Sequence, residues 1–114
     1  MRIPYTIAIT GKGGTGKTTI AASIIACLID EGHAPVLAVD ADPNSCLDQA
    51  LNVHVKKTVG QIREESRDAG AGQPSGMSKR ELVELRIAEC LAEADDFDLI
   101  AMGRPEGPGC YCYA

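Results

Sequence analysis

Apolar residues along this chain alternate between short unbroken runs and longer stretches with helical spacing. "YTIAIT", Tyr5 to Thr10, is a β-rich run ending at Gly11, the pattern of a buried strand. A glycine-rich stretch follows, then "TIAASIIACLIDEG". There Ile20, Ile24 and Leu28 recur at i, i+4 and i+8, flanked by Ile25 and Ile29. That spacing predicts a helix, apolar on much of its surface and closed by Gly32 at the C′ position. "PVLAV", Pro35 to Val39, is a second continuous apolar run, as for a strand covered on both faces. "SCLDQALN" and "TVGQIREES" predict short helices, and "DAGAGQPSG", Asp68 to Gly76, a mobile or disordered loop. "SKRELVELRIAECLAEAD" opens on a capping box, Ser78 with Glu81. It continues as a helix with Val83, Ile87, Cys90 or Leu91, and Ala94 on one face. "FDLIAM", Phe97 to Met102, predicts a third buried strand.

Strands alternating with helices predict an α/β fold with a parallel sheet and right-handed crossovers. Ligands on such sheets bind beyond the carboxyl ends of the strands. The loops at Gly11, Asp40 and Gly103 each follow such an end, so one ligand region can gather all three. No internal repeat and no linker divides the chain, which is a normal length for one domain at 114 residues.

Composition narrows the partners. A net charge of −5 argues against a general nucleic-acid binder, which needs a basic face. No run approaches the roughly 20 apolar residues of a membrane span, and the N-terminus lacks the longer apolar region of a signal peptide. The expected location is the cytoplasm, with neither nucleic acid nor membrane as partner. The five cysteines form no secreted disulfide framework. Cys27 and Cys90 fall on expected apolar helix faces, and Cys46 follows the "DAD" loop.

The strongest chemical signal is "GKGGTGKT", which fits G-x-x-x-x-G-K-[ST] through Gly11, Gly16, Lys17 and Thr18. Glycines let backbone N–H groups turn inward around phosphate oxygens, and the helix that follows aims its positive end at the same anion. Lys17 is placed for the β- and γ-phosphates, and the Thr18 hydroxyl for Mg²⁺. Gly13, Gly14, Thr15 and Thr19 complete the nucleotide-binding stretch. Asp40 and Asp42, at the end of the second apolar run, suit a magnesium water shell and the orientation of an attacking water. Asp42-Pro43 also starts turns for local reasons. Near the far end, Cys110 and Cys112 form a Cys-x-Cys pair. Thiolates are soft ligands that suit Zn²⁺, Cu⁺, Ni²⁺ or iron–sulfur chemistry. One chain supplies two sulfurs, and a two-fold dimer would supply four. His33 and His54 fall on surface turns and are not expected as ligands, Arg104 and Glu106 are expected in loop contacts, and Met102 in the core.

"GKGGTGKTT" resembles the deviant phosphate loop of SIMIBI-class P-loop ATPases, a group that includes nitrogenase iron protein, MinD-type and ParA-type ATPases and metal-inserting ATPases. The resemblance implies that Lys12 reaches across an ATP-dependent homodimer to the partner's nucleotide, acting with Lys17 in catalysis. It implies that Asp42 is the hydrolytic carboxylate and that Asp40 lies near the metal. "RPEGPGCYCYA" looks like the nickel-insertion ATPases that mature carbon monoxide dehydrogenase, the CooC type. That likeness implies that Cys110 and Cys112 bind nickel, or zinc in its place, between two subunits. The expected protein is an ATPase using ATP and Mg²⁺ to load Ni²⁺ into carbon monoxide dehydrogenase or a related client. The other readings are an iron–sulfur reductase like nitrogenase iron protein and a positioning ATPase of the MinD or ParA kind. Members of this group are longer, with a switch II aspartate on a further strand and adenine-binding residues beyond it. Residues 1–114 are therefore expected to be the N-terminal portion of a single P-loop ATPase domain.

Overall fold

The computed structural model describes residues 4–44, 46–68 and 76–104, side chains of 66–68 excepted. Helix α1 (Lys17–Asp30) leads into strand β1 (Val36–Asp40), then helices α2 (Leu47–Leu51), α3 (Val59–Asp68) and α4 (Lys79–Cys90). A two-residue strand β2 (Ala92–Glu93) and strand β3 (Phe97–Ala101) complete the order. The sheet runs β1-β3-β2. β1 and β3 are parallel, with Ala38 opposite Leu99 and Asp40 opposite Ala101. This is the α/β core of a P-loop fold, reached by a crossover that carries three of the helices.

Local signals explain the helix ends. α1 stops in a Schellman motif: the Gly32 amide donates to Ile29 O at 3.0 Å and the His33 amide to Leu28 O at 2.9 Å. α4 starts on the expected capping box, with Ser78 Oγ accepting from the Glu81 amide and Glu81 Oε2 from the Ser78 amide. A second box, unanticipated, starts α3. The Thr58 amide donates to Gln61 Oε1 at 2.9 Å, and the Gln61 amide to Thr58 Oγ1 at 3.2 Å.

The core lies between one face of the sheet and the helices. Ile25, Ala38, Leu47, Ala92 and Leu99 form it, with Ala21, Ala22, Ile29, Val36, Leu51 and Phe97 packed around them. Leu99 is fully buried at the centre. No helix among the described residues is long and apolar enough to cross a membrane.

Several expectations change. Residues 5–10 form no strand, and Tyr5 and Ile7 are exposed. A strand exists only through backbone partners. Both edges of β3 are already paired, and Tyr5, Ile7, Ile9 and Thr10 line a cleft beside β1 without joining its open edge. β1 is covered on one face only: Ala38 is buried, whereas Leu37 and Val39 are 61% and 54% exposed. α1 turns Ala21, Ile25 and Ile29 to the core rather than the Ile20 row, because alanines let the helix approach the sheet closely. On α4 the inner row is Leu82, Arg86 and Cys90, leaving Val83 and Ile87 exposed. That helix ends at Cys90 instead of running to Asp95. Ala92 and Glu93 pair antiparallel with Leu99 and Asp98, closed by an Ala94 amide to Phe97 O bond of 2.9 Å. The sheet is therefore mixed rather than wholly parallel. Cys27 is exposed and Met102 half-buried. Most of the loop expected at 68–76 lies outside the described residues.

The end of β3 is fixed on both sides. The Met102 amide continues the ladder to Asp40 O at 2.9 Å, and Met102 O accepts from the Gly60 amide at 3.0 Å. Gly103 follows with φ of 70°, where a Cβ would lie 2.7 Å from Thr58 Cβ. Gly103→Ala is expected to destabilise the chain by about 2 kcal/mol or more through combined dihedral strain and overlap. Gly13→Ala, whose added carbon meets nothing within 4 Å, should leave the urea midpoint nearly unchanged; equal midpoints for the two variants would refute the packing account.

Candidate functional site

The phosphate-loop motif folds into a turn that feeds α1. Gly16 is the helix N-cap with φ 88° and ψ 17°, a left-handed conformation that glycine adopts without a Cβ penalty. A Cβ there meets nothing within 4 Å, so the backbone dihedral, not crowding, calls for glycine. No side chain caps the helix and its first turn carries no acidic residue. Its leading N–H groups and positive dipole end are thus left for an external anion. Two bonds brace the turn: Thr15 Oγ1 donates to Lys12 O at 2.7 Å and Lys17 Nζ to Gly11 O at 2.6 Å. The second holds the ammonium over the loop it would serve.

The carboxylates stand at the end of β1. Asp40 accepts from the Asp42 amide through Oδ1 and from the Leu47 amide through Oδ2, each at 3.1 Å. It thereby bonds the first residue of α2, whose own N-cap, Cys46, makes no side-chain cap bond. Asp42 Oδ1 accepts from the Asn44 amide at 2.9 Å, an Asx turn. The loop is thus ordered by its own acidic side chains.

A cleft of about 600 Å³ brings the two halves together, with Gly11, Lys17 and Thr18 among its lining residues on one side and Asp40 and Asp42 on the other. Lysine cation, hydroxyl and carboxylates meet in one space. Thr18, Asp40 and Asp42 are hard oxygen donors, the set that suits Mg²⁺. Lys12, Gly13, Gly14, Thr15, Gly16 and Thr19 do not line this cleft, and Lys12 is exposed. Gly103 reaches the site only through the Met102–Asp40 backbone bond.

Cys110, Cys112 and Glu106 lie outside the described residues. Among the described residues, no group of three or more His, Cys, Asp or Glu is placed to hold a metal. Cys90 is buried, and that burial, reinforced by the Glu89 charge, pushes its thiol pKa up, as for a core residue. His33 and His54 are exposed, as expected of surface turns. Sequence reasoning overlooks Asn44, which the structure joins to Arg104: the guanidinium donates through Nη2 to Asn44 Oδ1. The available signal was an Asp-x-Asn spacing at a strand end.

Comparison with known proteins fits this geometry. Residues 6–103 match the family profile described as the CobQ/CobB/MinD/ParA nucleotide binding domain. An uncharacterized ATP-binding protein of Methanocaldococcus jannaschii is 46% identical over 108 residues, covering 93% of this chain and 42% of that protein. A second ATP-binding protein of that organism is 35% identical over 115 residues, covering 95% and 44%. Carbon monoxide dehydrogenase accessory protein CooC of Rhodospirillum rubrum is 39% identical over 79 residues, covering 61% and 28%. The chain spans less than half the length of each of these relatives.

Asp40→Asn isolates the carboxylate's structural part. An amide nitrogen would face one of two N–H donors, and the mispairing should cost about 1–2 kcal/mol in urea unfolding. An unchanged midpoint would show that the two Asp40 bonds do not hold the loop.

Proposed function

The chain belongs to the CobQ/CobB/MinD/ParA nucleotide-binding domain family, and we propose that it forms part of an ATP-hydrolysing metallochaperone for carbon monoxide dehydrogenase or a related nickel enzyme. The observation that carries this reading is a double coincidence. A phosphate loop with a second lysine, Lys12, and a Cys-x-Cys pair, Cys110 and Cys112, occur in one chain. That chain is 39% identical over 79 residues to a carbon monoxide dehydrogenase accessory protein.

On this reading the first-turn amides of α1 and Lys17 hold the β- and γ-phosphates of ATP. Thr18 and Asp40 hold Mg²⁺, which when bound neutralises charge on the phosphate oxygens. Asp42 orients a water whose oxygen bonds to the γ-phosphorus as the bond to the β–γ bridging oxygen breaks, leaving ADP and phosphate. Lys12 of each subunit reaches its partner's nucleotide, so ATP closes a homodimer, and the lysine stabilises charge on the transferring phosphoryl group, as an inserted cation does in other phosphoryl-transfer enzymes. Closure brings two Cys110–Cys112 pairs together, four soft donors that suit Ni²⁺ as cargo, or Zn²⁺. Hydrolysis reopens the dimer and releases the metal to the client. The exposed position of Lys12 and the hard oxygen donors that line the same cleft as Lys17 support these assignments.

The complete protein, purified anaerobically and titrated with Ni²⁺ with and without ATP, tests the proposal. Expected is one Ni²⁺ per dimer in the presence of ATP, lost in Cys110→Ala or Cys112→Ala. Four irons per dimer would favour an iron–sulfur reductase instead. A metal-free protein that associates with membranes or DNA when ATP is added would favour a positioning ATPase.

A further inference from the structure

Arg104 has no part in the chemistry above, yet it closes a ring of hydrogen bonds around the carboxylate loop. The ring begins where β1 and β3 end, with the Met102 amide donating to Asp40 O at 2.9 Å. On the β1 side the chain continues through the Asp40 and Asp42 turns to Asn44. On the β3 side it continues through Gly103 to Arg104, whose guanidinium donates to Asn44 Oδ1. The two arms are unequal. The β3 arm is anchored, because Met102 O accepts from the Gly60 amide and Gly103 sits hard against Thr58. The β1 arm is exposed from Ala41 to Asn44, held at its base by Asp40 and at its tip by Arg104.

We propose that Arg104 is a positioning residue for Asp42, acting through Asn44. The guanidinium fixes the Asn44 side chain, Asn44 presents its amide to Asp42 Oδ1 at 2.9 Å, and the carboxylate is held at one orientation toward the cleft. A charged donor makes a stronger bond than a neutral one, and the arginine side chain reaches across the gap from the residue after the anchored Met102 and Gly103. The inference rests on the reading of Asp42 as the group that orients the attacking water. Loss of the brace leaves ATP bound, because Lys17 and the α1 amides are untouched, and slows the step that needs Asp42.

Steady-state ATP hydrolysis by the complete protein tests this. Arg104→Ala is expected to lower kcat about tenfold, the scale of one hydrogen bond with a charged partner, while KM for ATP moves less than about twofold. Arg104→Lys, which keeps a cationic donor, should recover part of the loss. Asn44→Ala, which removes the acceptor but keeps the amide, should match Arg104→Ala. The double variant should be no slower than either single one. Hydrogen exchange read at the Asn44 and Leu47 amides should quicken in both single variants, with the rest of the chain unchanged. Unaltered kcat in Arg104→Ala, a rise in KM alone, or losses that multiply in the double variant would overturn the inference. Calorimetry with a non-hydrolysable ATP analogue separates the two levels. Wild-type protein that fails to bind it removes the ATPase reading and this inference with it. Wild-type protein that binds and hydrolyses ATP, beside an unaffected Arg104→Ala, removes this inference alone.

Discussion

The parallel ladder between β1 and β3, extended by the Met102 amide to Asp40 O bond, is the constraint on which the carboxylate side of the site depends. It ends both strands at one level, so the loops after Asp40 and Met102 leave the sheet side by side. Without that register Arg104 would not reach Asn44. The packing beneath serves the same end. Leu99, fully buried opposite Ala38, locks the register through a side chain whose truncation would cost about 3 kcal/mol or more.

Across the cleft the organisation is local. Gly16 in a left-handed conformation starts α1 without a capping side chain, and Thr15 and Lys17 bond back to the turn's own carbonyls. A helix that begins this way keeps its partial positive charge available, and Lys17 adds a full one. The acidic loop opposite supplies oxygen donors. Cation and dipole on one wall and carboxylates on the other make a divided electrostatic environment, which suits an anion held together with a divalent cation.

What was legible in the sequence follows the same division between local and distant. The phosphate turn, the Ser78–Glu81 box and the Gly32 stop were readable because each is decided within a few residues. The P-loop α/β class was readable for a similar reason, since alternating elements leave few topologies. Residues 5–10 differ because apolar composition says nothing of backbone pairing, and this segment leaves the open edge of β1 unpaired. The inner rows of α1 and α4 were misphased because several apolar rows compete there, and small or amphipathic residues, Ala21 and Arg86, won the inner positions. β2 was invisible because two residues of antiparallel pairing carry no periodicity. The Asn44–Arg104 bond joins residues 60 apart, and the Asp-x-Asn spacing after β1 marks only its near end.

The central claim is that the phosphate turn and the carboxylate loop form one binding unit. Hydrogen exchange of the complete protein, with and without ATP and Mg²⁺, measures this directly at the amides of residues 11–19 and 40–47. The account predicts that both segments become protected together, over the same range of nucleotide concentration. Protection of the phosphate turn with no change at residues 40–47, or no protection of either, would contradict it.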